Sequence, residues 1–432
     1  MTFGTYTRLL RTRDARRLAA SFVVLGIAGT MTPVAFVLFV QGATGSFATA
    51  SLALAGYTVG TIVASPLRGR LIDRIGPSRA VLLLALPGAA TDVLFILTGA
   101  AEAAAAVLVA LAFVAGALTA PAGAALRSVW SETLCEDRHA AYALMTVMLE
   151  STYIAGPLLA GILIAAWSAT AAVATIAALS LTGAVAFGAS GAARRRKGMP
   201  KQPGRLAALA APGIRTVLVT AAAFGLTFGT LDVAFPAFAR EHGSTAVAGV
   251  LLAALAAGGA LGGFAYGLRR NPGPATRHYA ALCLLAAAGL APLIAAPSLP
   301  VMVALAVLSG ACFAPVTTRQ VAVVDDVVDS AHRAEAFTWL STAYGAGLAA
   351  GAAIAGQLVQ ADVIRACFGL ACASVLAASV FTTARGLQAG RGGGDQRGSN
   401  TLRPAKPAAS RAPPTRPAQR PKPVRASRTR RS

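Results

Sequence analysis

The chain has 432 residues, of which 56% are hydrophobic and only 12% are charged. A soluble domain of this size needs more charge to cover its surface, so the composition excludes a soluble globular protein and indicates a lipid environment. The formal net charge of +22 does not indicate nucleic-acid binding. The basic residues lie between apolar runs and at the end of the chain, where they set membrane topology.

Apolar runs of about 20 residues, the length that crosses the hydrocarbon of a bilayer, recur along the whole chain. We therefore predict an all-α polytopic membrane protein with about twelve transmembrane helices. The predicted spans, in chain order, are 19–40, 48–67, 80–100, 103–125, 141–165, 168–190, 214–238, 245–268, 278–296, 299–318, 335–358 and 362–384.

The basic residues favour one side of the membrane. The N-terminal stretch to Arg17, the segment from Arg68 to Arg79, the cluster from Arg194 to Lys197 and the C-terminal tail all fall on this side, whereas the loops of the opposite side keep only Arg240 and Arg365. The positive-inside rule then predicts cytoplasmic N- and C-termini and an even number of spans. The excess of Arg over Lys and of Ala and Gly is typical of a GC-rich bacterial genome, which indicates a cell (plasma) membrane.

The longest break between predicted spans divides the chain into two halves. We predict an N-terminal six-helix half (1–191), a cytoplasmic central loop (192–213), a C-terminal six-helix half (214–386) and a disordered basic cytoplasmic tail (387–432). A shift of 195 residues sets Gly156 over Gly351 and Gly161 over Gly356. This internal similarity predicts two halves in parallel repeat.

The loop between the second and third predicted spans carries a pattern with a physical reading. Gly69 would allow close approach of a neighbouring helix backbone. Asp73 could cap a helix N-terminus or pair with Arg74, and Gly76 would permit a tight reversal into the next span. The loop reads Gly69-Arg70-Leu71-Ile72-Asp73-Arg74-Ile75-Gly76-Pro77-Ser78-Arg79.

This loop resembles the signature of the major facilitator superfamily, Gly-x-Leu-x-Asp-Arg-x-Gly followed by basic residues, and it stands at the position where that family carries it. Pro77 and Ser78 depart from the family pattern. The resemblance implies a fold of two six-helix halves and a gating role, rather than substrate binding, for the charged residues of the loop. The matching positions are Gly69, Leu71, Asp73, Arg74, Gly76 and Arg79.

A second segment, Gly156-Pro157-Leu158-Leu159-Ala160-Gly161 in the fifth predicted span, is similar to a motif of drug/proton antiporters within that family. Thr152 and Ala160 stand where the motif has Gly. The similarity implies a bacterial drug or metabolite efflux permease. The alternative is a proline kink with close-packing glycines and no exporter role.

Three carboxylates lie within predicted spans: Asp92, Glu150 and Asp232. Ionisable groups in a bilayer are costly and are functional candidates by default. Glu150 is our first candidate for a proton- or substrate-binding site and Asp232 the second, whereas Asp92, on a span that is a scaffold helix in the resembled fold, fits a structural role better. Hydrogen-bonded structural carboxyl groups are the alternative for all three. Aromatic side chains that could line a cavity, although such residues more often serve simple packing, are Tyr57, Tyr153, Phe228 and Tyr344.

We therefore predict a secondary active transporter that moves a small molecule by alternating access, with protons as the possible coupling ion and efflux as the preferred direction. An uptake permease and a transport-dead sensor or scaffold remain open. No Gly-x-x-x-x-Gly-Lys-Ser/Thr loop occurs, so ATP is not expected to drive the chain. We expect no enzyme, because the four histidines are scattered, and neither a cofactor nor a metal site, because the five cysteines lack ligand spacing.

Overall fold

The computed structural model describes residues 12–101, 103–133, 138–195, 213–244, 247–267, 275–327 and 333–392. Residues 196–212, the greater part of the predicted central loop, lie outside the described residues. So do residues 393–432, which hold most of the tail predicted to be disordered.

Every regular element in the described ranges is helical, and twelve helices are long and apolar enough to cross a membrane. The predictions of an all-α fold and of twelve spans are confirmed. We number the spans 1 to 12 as Arg13–Thr44, Phe47–Ile75, Pro77–Ala100, Ala105–Leu118 with Ala122–Thr133, Arg138–Ala166, Ala169–Gly188, Ile214–Glu241, Val247–Gly267, Ala275–Leu290 with the 3-10 turn Ala291–Ala295, Leu299–Val327, Arg333–Gln360 and Ile364–Gly392; a short helix, Gly191–Arg195, follows span 6.

Very short turns join the first three spans. Span 1 ends at Thr44 and is capped by Gly45, with φ 71°; the Ser46 side chain then caps span 2 by accepting from the Thr49 amide at 3.2 Å. Only Gly76, with φ 85°, separates span 2 from span 3, and Pro77 occupies the first turn of span 3. A positive φ favours glycine and a helix accepts proline at its start, so the local sequence specifies both reversals.

Span 4 differs from the prediction of one continuous helix. It breaks at residues 119–121, and a second helix begins directly after Pro121. Proline lacks the amide hydrogen that would continue the helical ladder. The Thr119 carbonyl, near the end of the first helix, instead accepts a hydrogen bond from Arg68 Nη1 at 2.8 Å.

Glycine contacts in spans 5 and 11 follow the 195-residue shift. A side chain at Gly156 would overlap Thr30 of span 1, and one at Gly351 would overlap span 7. Gly161 lies against Gly249 of span 8, whereas Gly356 lies against span 2. Each span thus packs on the first helix of its own half and on a helix of the other half, as expected for two repeats that build one transporter-like bundle.

At one end of the bundle, which we call the Ser46 end, polar and ring contacts join the two halves. Ser46 Oγ donates to Gln360 Oε1 at 3.1 Å, and the Arg240 guanidinium lies 5.6 Å from the centre of the Phe47 ring. The opposite end carries the turn at Gly76, and we call it the Asp73 end.

Candidate functional site

Four polar side chains from the two halves lie close enough to interact electrostatically. Glu150 and Tyr153 lie one turn apart on span 5, where Glu150 is exposed and Tyr153 is 49% exposed. Tyr153 interacts electrostatically with Glu150 and with the half-buried Asp232 of span 7. Tyr344 of span 11 interacts with Tyr153 and Asp232. We call these four residues the central cluster.

Prolines in spans 5 and 7 add backbone acceptors to the central cluster. Pro157 and Pro236 lie inside their helices. A proline inside a helix cannot donate to the carbonyl four residues earlier. These carbonyls belong to Tyr153 and Asp232, so each of these residues offers a backbone oxygen without its usual helical donor.

Aromatic rings of the C-terminal half extend from the central cluster. The ring centres of Tyr344 and Phe228 are 6.2 Å apart, those of Phe228 and Phe313 are 4.9 Å apart, and Phe313 also meets Phe224 edge to face at 4.9 Å. Acidic groups beside aromatic faces suit a cation with an apolar body. Phe313 was not predicted, because its distance along the chain from Phe228 gives no sign of their contact.

The span-5 motif lies at two packing interfaces. Gly156 faces span 1, where Thr30 Oγ1 donates to the Thr152 carbonyl at 2.7 Å. The Pro157 carbonyl and the backbone of Gly161 lie against Gly249 of span 8. These contacts give the glycines a packing role, and they connect the motif with both halves of the protein.

The structure places Asp92 away from the central cluster, in the interior of the N-terminal half. Its side chain is 7% exposed and borders a cavity of about 40 Å³. Polar residues from spans 1, 2, 4 and 6 contribute to the cavity wall: Thr32, Tyr57, Thr119 and Ser180.

The family-signature segment, Gly69–Arg79, was predicted to be a loop, but in the structure it forms the end of span 2, the turn at Gly76 and the start of span 3. Gly76 makes the reversal, Asp73 is half-buried, and Arg74 and Arg79 are exposed. The expected close approach at Gly69 is not present in this structure, because no heavy atom lies within 4 Å of the place where its Cβ would stand. The Asp73 side chain has neither a hydrogen bond nor an ion pair to any residue in the described part, so the expected cap or pair with Arg74 is not formed either.

The sequence interpretation of Arg68 as a residue of the basic loop was wrong. Arg68 lies inside span 2 and is 7% exposed. Its guanidinium donates to the carbonyls of Thr61 and Thr119. The break in span 4 supplies the Thr119 acceptor, which explains how a buried arginine can be accommodated inside the bundle.

No group of three or more His, Cys, Asp or Glu that could hold a metal occurs in the part of the chain that the structure describes. Within the same part, Cys283, Cys312, Cys367 and Cys372 are free thiols.

The family model described as Major Facilitator Superfamily matches residues 18–293 and again residues 217–424. No match was found among curated proteins.

Solved transporters share the fold at low sequence identity. A bacterial homologue of the iron transporter ferroportin, in an inward-facing state, has a TM-score of 0.68 at 15% identity, over 86% of this chain and 98% of that chain. The nucleoside transporter NupG has a TM-score of 0.66 at 12% identity, over 85% and 99%. The human organic anion transporter MFSD10 (TETRAN) has 0.55 at 17% identity, over 86% and 100%.

These three structures carry names of unrelated substrates, so the shared fold does not identify what this chain moves. The matches to the family model, together with twelve candidate spans in two repeated halves, do identify the type of protein. This chain belongs to the major facilitator superfamily, a family of membrane transporters.

Proposed function

We propose that this transporter exports a small organic cation from the cytoplasm by alternating access, in exchange for protons. The observation that carries the proposal is the central cluster, where Tyr153 of one half interacts electrostatically with Glu150 and with Asp232 of the other half, and Tyr344 interacts with Tyr153 and Asp232. A ligand bound between the halves can be released to either side when they rock about it. Both charged side chains of the cluster are acidic, which favours a cationic ligand.

The aromatic rings beside the cluster narrow the substrate class. Phe228 and Phe313 offer ring faces and edges next to Tyr344. A planar or lipophilic cation gains from carboxylate attraction at one end and from ring contact along its body. The released carbonyls of Tyr153 and Asp232 would accept from a ligand N–H.

We propose further that the Asp73 end faces the cytoplasm of a bacterial cell membrane, with both chain termini on that side. The support is the charge distribution in the sequence, since the predicted topology puts the basic segments on the same side as Asp73 and leaves only Arg240 and Arg365 in the loops of the opposite side. In this orientation the contacts of the Ser46 end close the external side. Asp73, Arg74 and Arg79 would gate the cytoplasmic side, with Gly69 in the last turns of span 2 and Gly76 at the reversal between the two spans.

The test is accumulation of fluorescent cations, such as ethidium, and of neutral and anionic analogues in bacteria with and without the protein, before and after an uncoupler. We expect lower accumulation of cations in cells that carry the protein, and loss of that difference with the uncoupler. Higher accumulation, no effect on any compound, or export indifferent to the uncoupler would overturn the proposal.

Glu150→Gln tests the site itself. Loss of one charged contact of about 1.5–3 kcal/mol should weaken cation binding tenfold or more. The matched control is Asp362→Asn, which removes an exposed carboxylate at φ 58°, a backbone conformation that Asn tolerates. Normal export by Glu150→Gln would remove Glu150 from the site.

A further inference from the structure

A small cavity with several polar groups in its wall lies inside the N-terminal half, between spans 1, 2, 3, 4 and 6. Its volume is about 40 Å³, and a water needs about 10–15 Å³ of such space with two to four polar partners. Gly29 is part of its wall, and no heavy atom lies within 4 Å of the position where a Gly29 Cβ would stand. The cavity therefore has room for a water molecule.

The cavity wall offers acceptors and hydroxyl groups for such a water. Pro33 leaves the Gly29 carbonyl without its helical donor. The hydroxyl groups of Tyr57 and Thr119 lie 3.2 Å apart and hydrogen-bond to each other. A water in the cavity would thus meet a free carbonyl, two hydroxyl groups and a carboxyl group.

Asp92 is the acidic group of this wall. No residue in the described part of the chain donates a hydrogen bond or a counter-charge to its buried carboxyl group. The side chain is 7% exposed. A carboxylate buried in this way must find donors, a counter-charge or a proton. Of the residues that line the cavity, Tyr57 is the other titratable group, and spans 1, 4 and 6 contribute none.

A possible counter-charge lies farther along span 2. Tyr57 interacts electrostatically with both Asp92 and Arg68. Arg68 already donates to the Thr119 carbonyl, and its buried Nε has no hydrogen-bond partner among the described residues. Tyr57 and Thr119 therefore stand between a buried acid and a buried guanidinium that still has a donor to offer.

We propose that Asp92 is a proton-binding site of the N-terminal half, separate from the central cluster, with a cavity water, Tyr57 and Arg68 as its polar partners. The protonated acid is neutral and leaves Arg68 on the Thr119 carbonyl. Loss of the proton gives a buried anion. This anion attracts the Arg68 guanidinium, with the Tyr57 hydroxyl and the cavity water as the hydrogen-bonding groups that connect them. No bond other than the acid O–H is broken, and the proton leaves to the water.

This switch would act on span 2, which carries Arg68 and also packs on the other half. Gly356 of span 11 lies against span 2 near the Ser46 end, and Gly345 faces Ile62 of span 2. A change in the hydrogen bonds of Arg68 would therefore alter span 2, and with it the interface along which the two halves move. The inference that Asp92 couples transport to protons rests on the proposed proton exchange. In that case the central cluster binds the cation and not the coupling proton.

A proton fits this site better than a metal cation. Hard divalent cations take six or more oxygen ligands, whereas much of this cavity wall is Ala, Gly, Leu and Ile. The guanidinium near Tyr57 would also repel a second positive charge. A protonated Asp92 beside one water is neutral, so it needs no shell of six oxygen ligands and is not repelled by Arg68.

Infrared difference spectroscopy of the full-length protein in lipid nanodiscs tests the site without a transported substrate. A pH step should reveal a carbonyl band from protonated carboxyl groups, and Asp92→Asn should remove one component that Asp362→Asn keeps. An unchanged band in Asp92→Asn would overturn the proposal. So would a component that responds to added sodium at constant pH.

Two milder variants keep the test informative if Asp92→Asn does not fold. Gly29→Ala puts a methyl group into the cavity and should slow hydrogen–deuterium exchange of the Asp92 component, whereas Gly42→Ala, on the same helix and with no atom within 4 Å, should not. Tyr57→Phe should move the titration midpoint of this component. Exchange unchanged in Gly29→Ala, or a midpoint unchanged in Tyr57→Phe, would contradict the proposed cavity water and relay. Uncoupler-insensitive export by the native chain would instead defeat the proposed function and leave the band intact.

Discussion

Arg240 gives a quantitative prediction about the contact that holds the halves together at the Ser46 end. Its guanidinium lies 5.6 Å from the centre of the Phe47 ring, and Nη2 lies 3.2 Å from the Gln41 side-chain oxygen when the amide is turned to present that oxygen. Arg240 belongs to span 7, whereas Gln41 and Phe47 belong to the N-terminal half. The contact therefore exists only when the halves meet at this end.

The size of the effect follows from the two contacts. A cation–π contact at an exposed site contributes about 0.5–1 kcal/mol, and a hydrogen bond from a charged donor about 1.5–3 kcal/mol. Because Arg240 is exposed, solvent screening reduces this sum to about 1–2 kcal/mol. Arg240→Ala should therefore shift the population away from this closed end by about 5- to 30-fold, at 1.4 kcal/mol per tenfold.

Distances between spin labels measure that shift. One label at Trp167, in the turn after span 5, and one at Asp362, in the turn before span 12, report separation of the halves at this end once the five native cysteines are replaced. We expect a longer-distance population to grow in Arg240→Ala. Arg365→Ala is the matched control, because Arg365 is an exposed arginine on span 12 that begins at the same end.

The reasoning fails if the distance distribution of Arg240→Ala equals that of the native chain. It also fails if Arg365→Ala produces the same shift, since the effect would then come from general loss of positive charge. Gln41→Ala should produce a smaller change than Arg240→Ala, because it keeps the contact with the Phe47 ring.

Two further predictions concern packing and gating. Gly229→Ala would put a methyl group 2.7 Å from the Leu348 carbonyl carbon, and thermal denaturation should show a loss of stability of about 1–3 kcal/mol. The control Gly369→Ala, which has no atom within 4 Å, should keep the native stability. Equal melting temperatures of the two variants would refute the close packing at Gly229. Asp73→Asn should slow cation export without changing the equilibrium binding of ethidium, because Asp73 lies in the proposed gating segment at the end of span 2 and outside the central cluster. Weakened ethidium binding in this variant would contradict the gating role.

The sequence predicted the features that depend on local composition. The number of spans and their positions follow from runs of apolar residues, because the bilayer imposes a fixed length on every helix that crosses it. The reversal at Gly76 follows from a single residue that can adopt φ 85°. The repeat was visible as a shift of 195 residues, and Gly156 and Gly351 indeed pack on the first helix of their respective halves.

Contacts between distant spans could be known only from the tertiary structure. By composition Arg68 belongs to a basic loop, yet the span-4 break at Pro121 gives its guanidinium the Thr119 carbonyl inside the protein. Glu150 and Asp232 stand on spans of different halves, and only the packing of those halves brings Tyr153 within electrostatic range of both. In the sequence, Asp92 is, like Glu150 and Asp232, a single carboxylate within an apolar run. Its separate cavity results from how five helices pack, because burial is a property of the assembled neighbours and not of the segment that carries the residue.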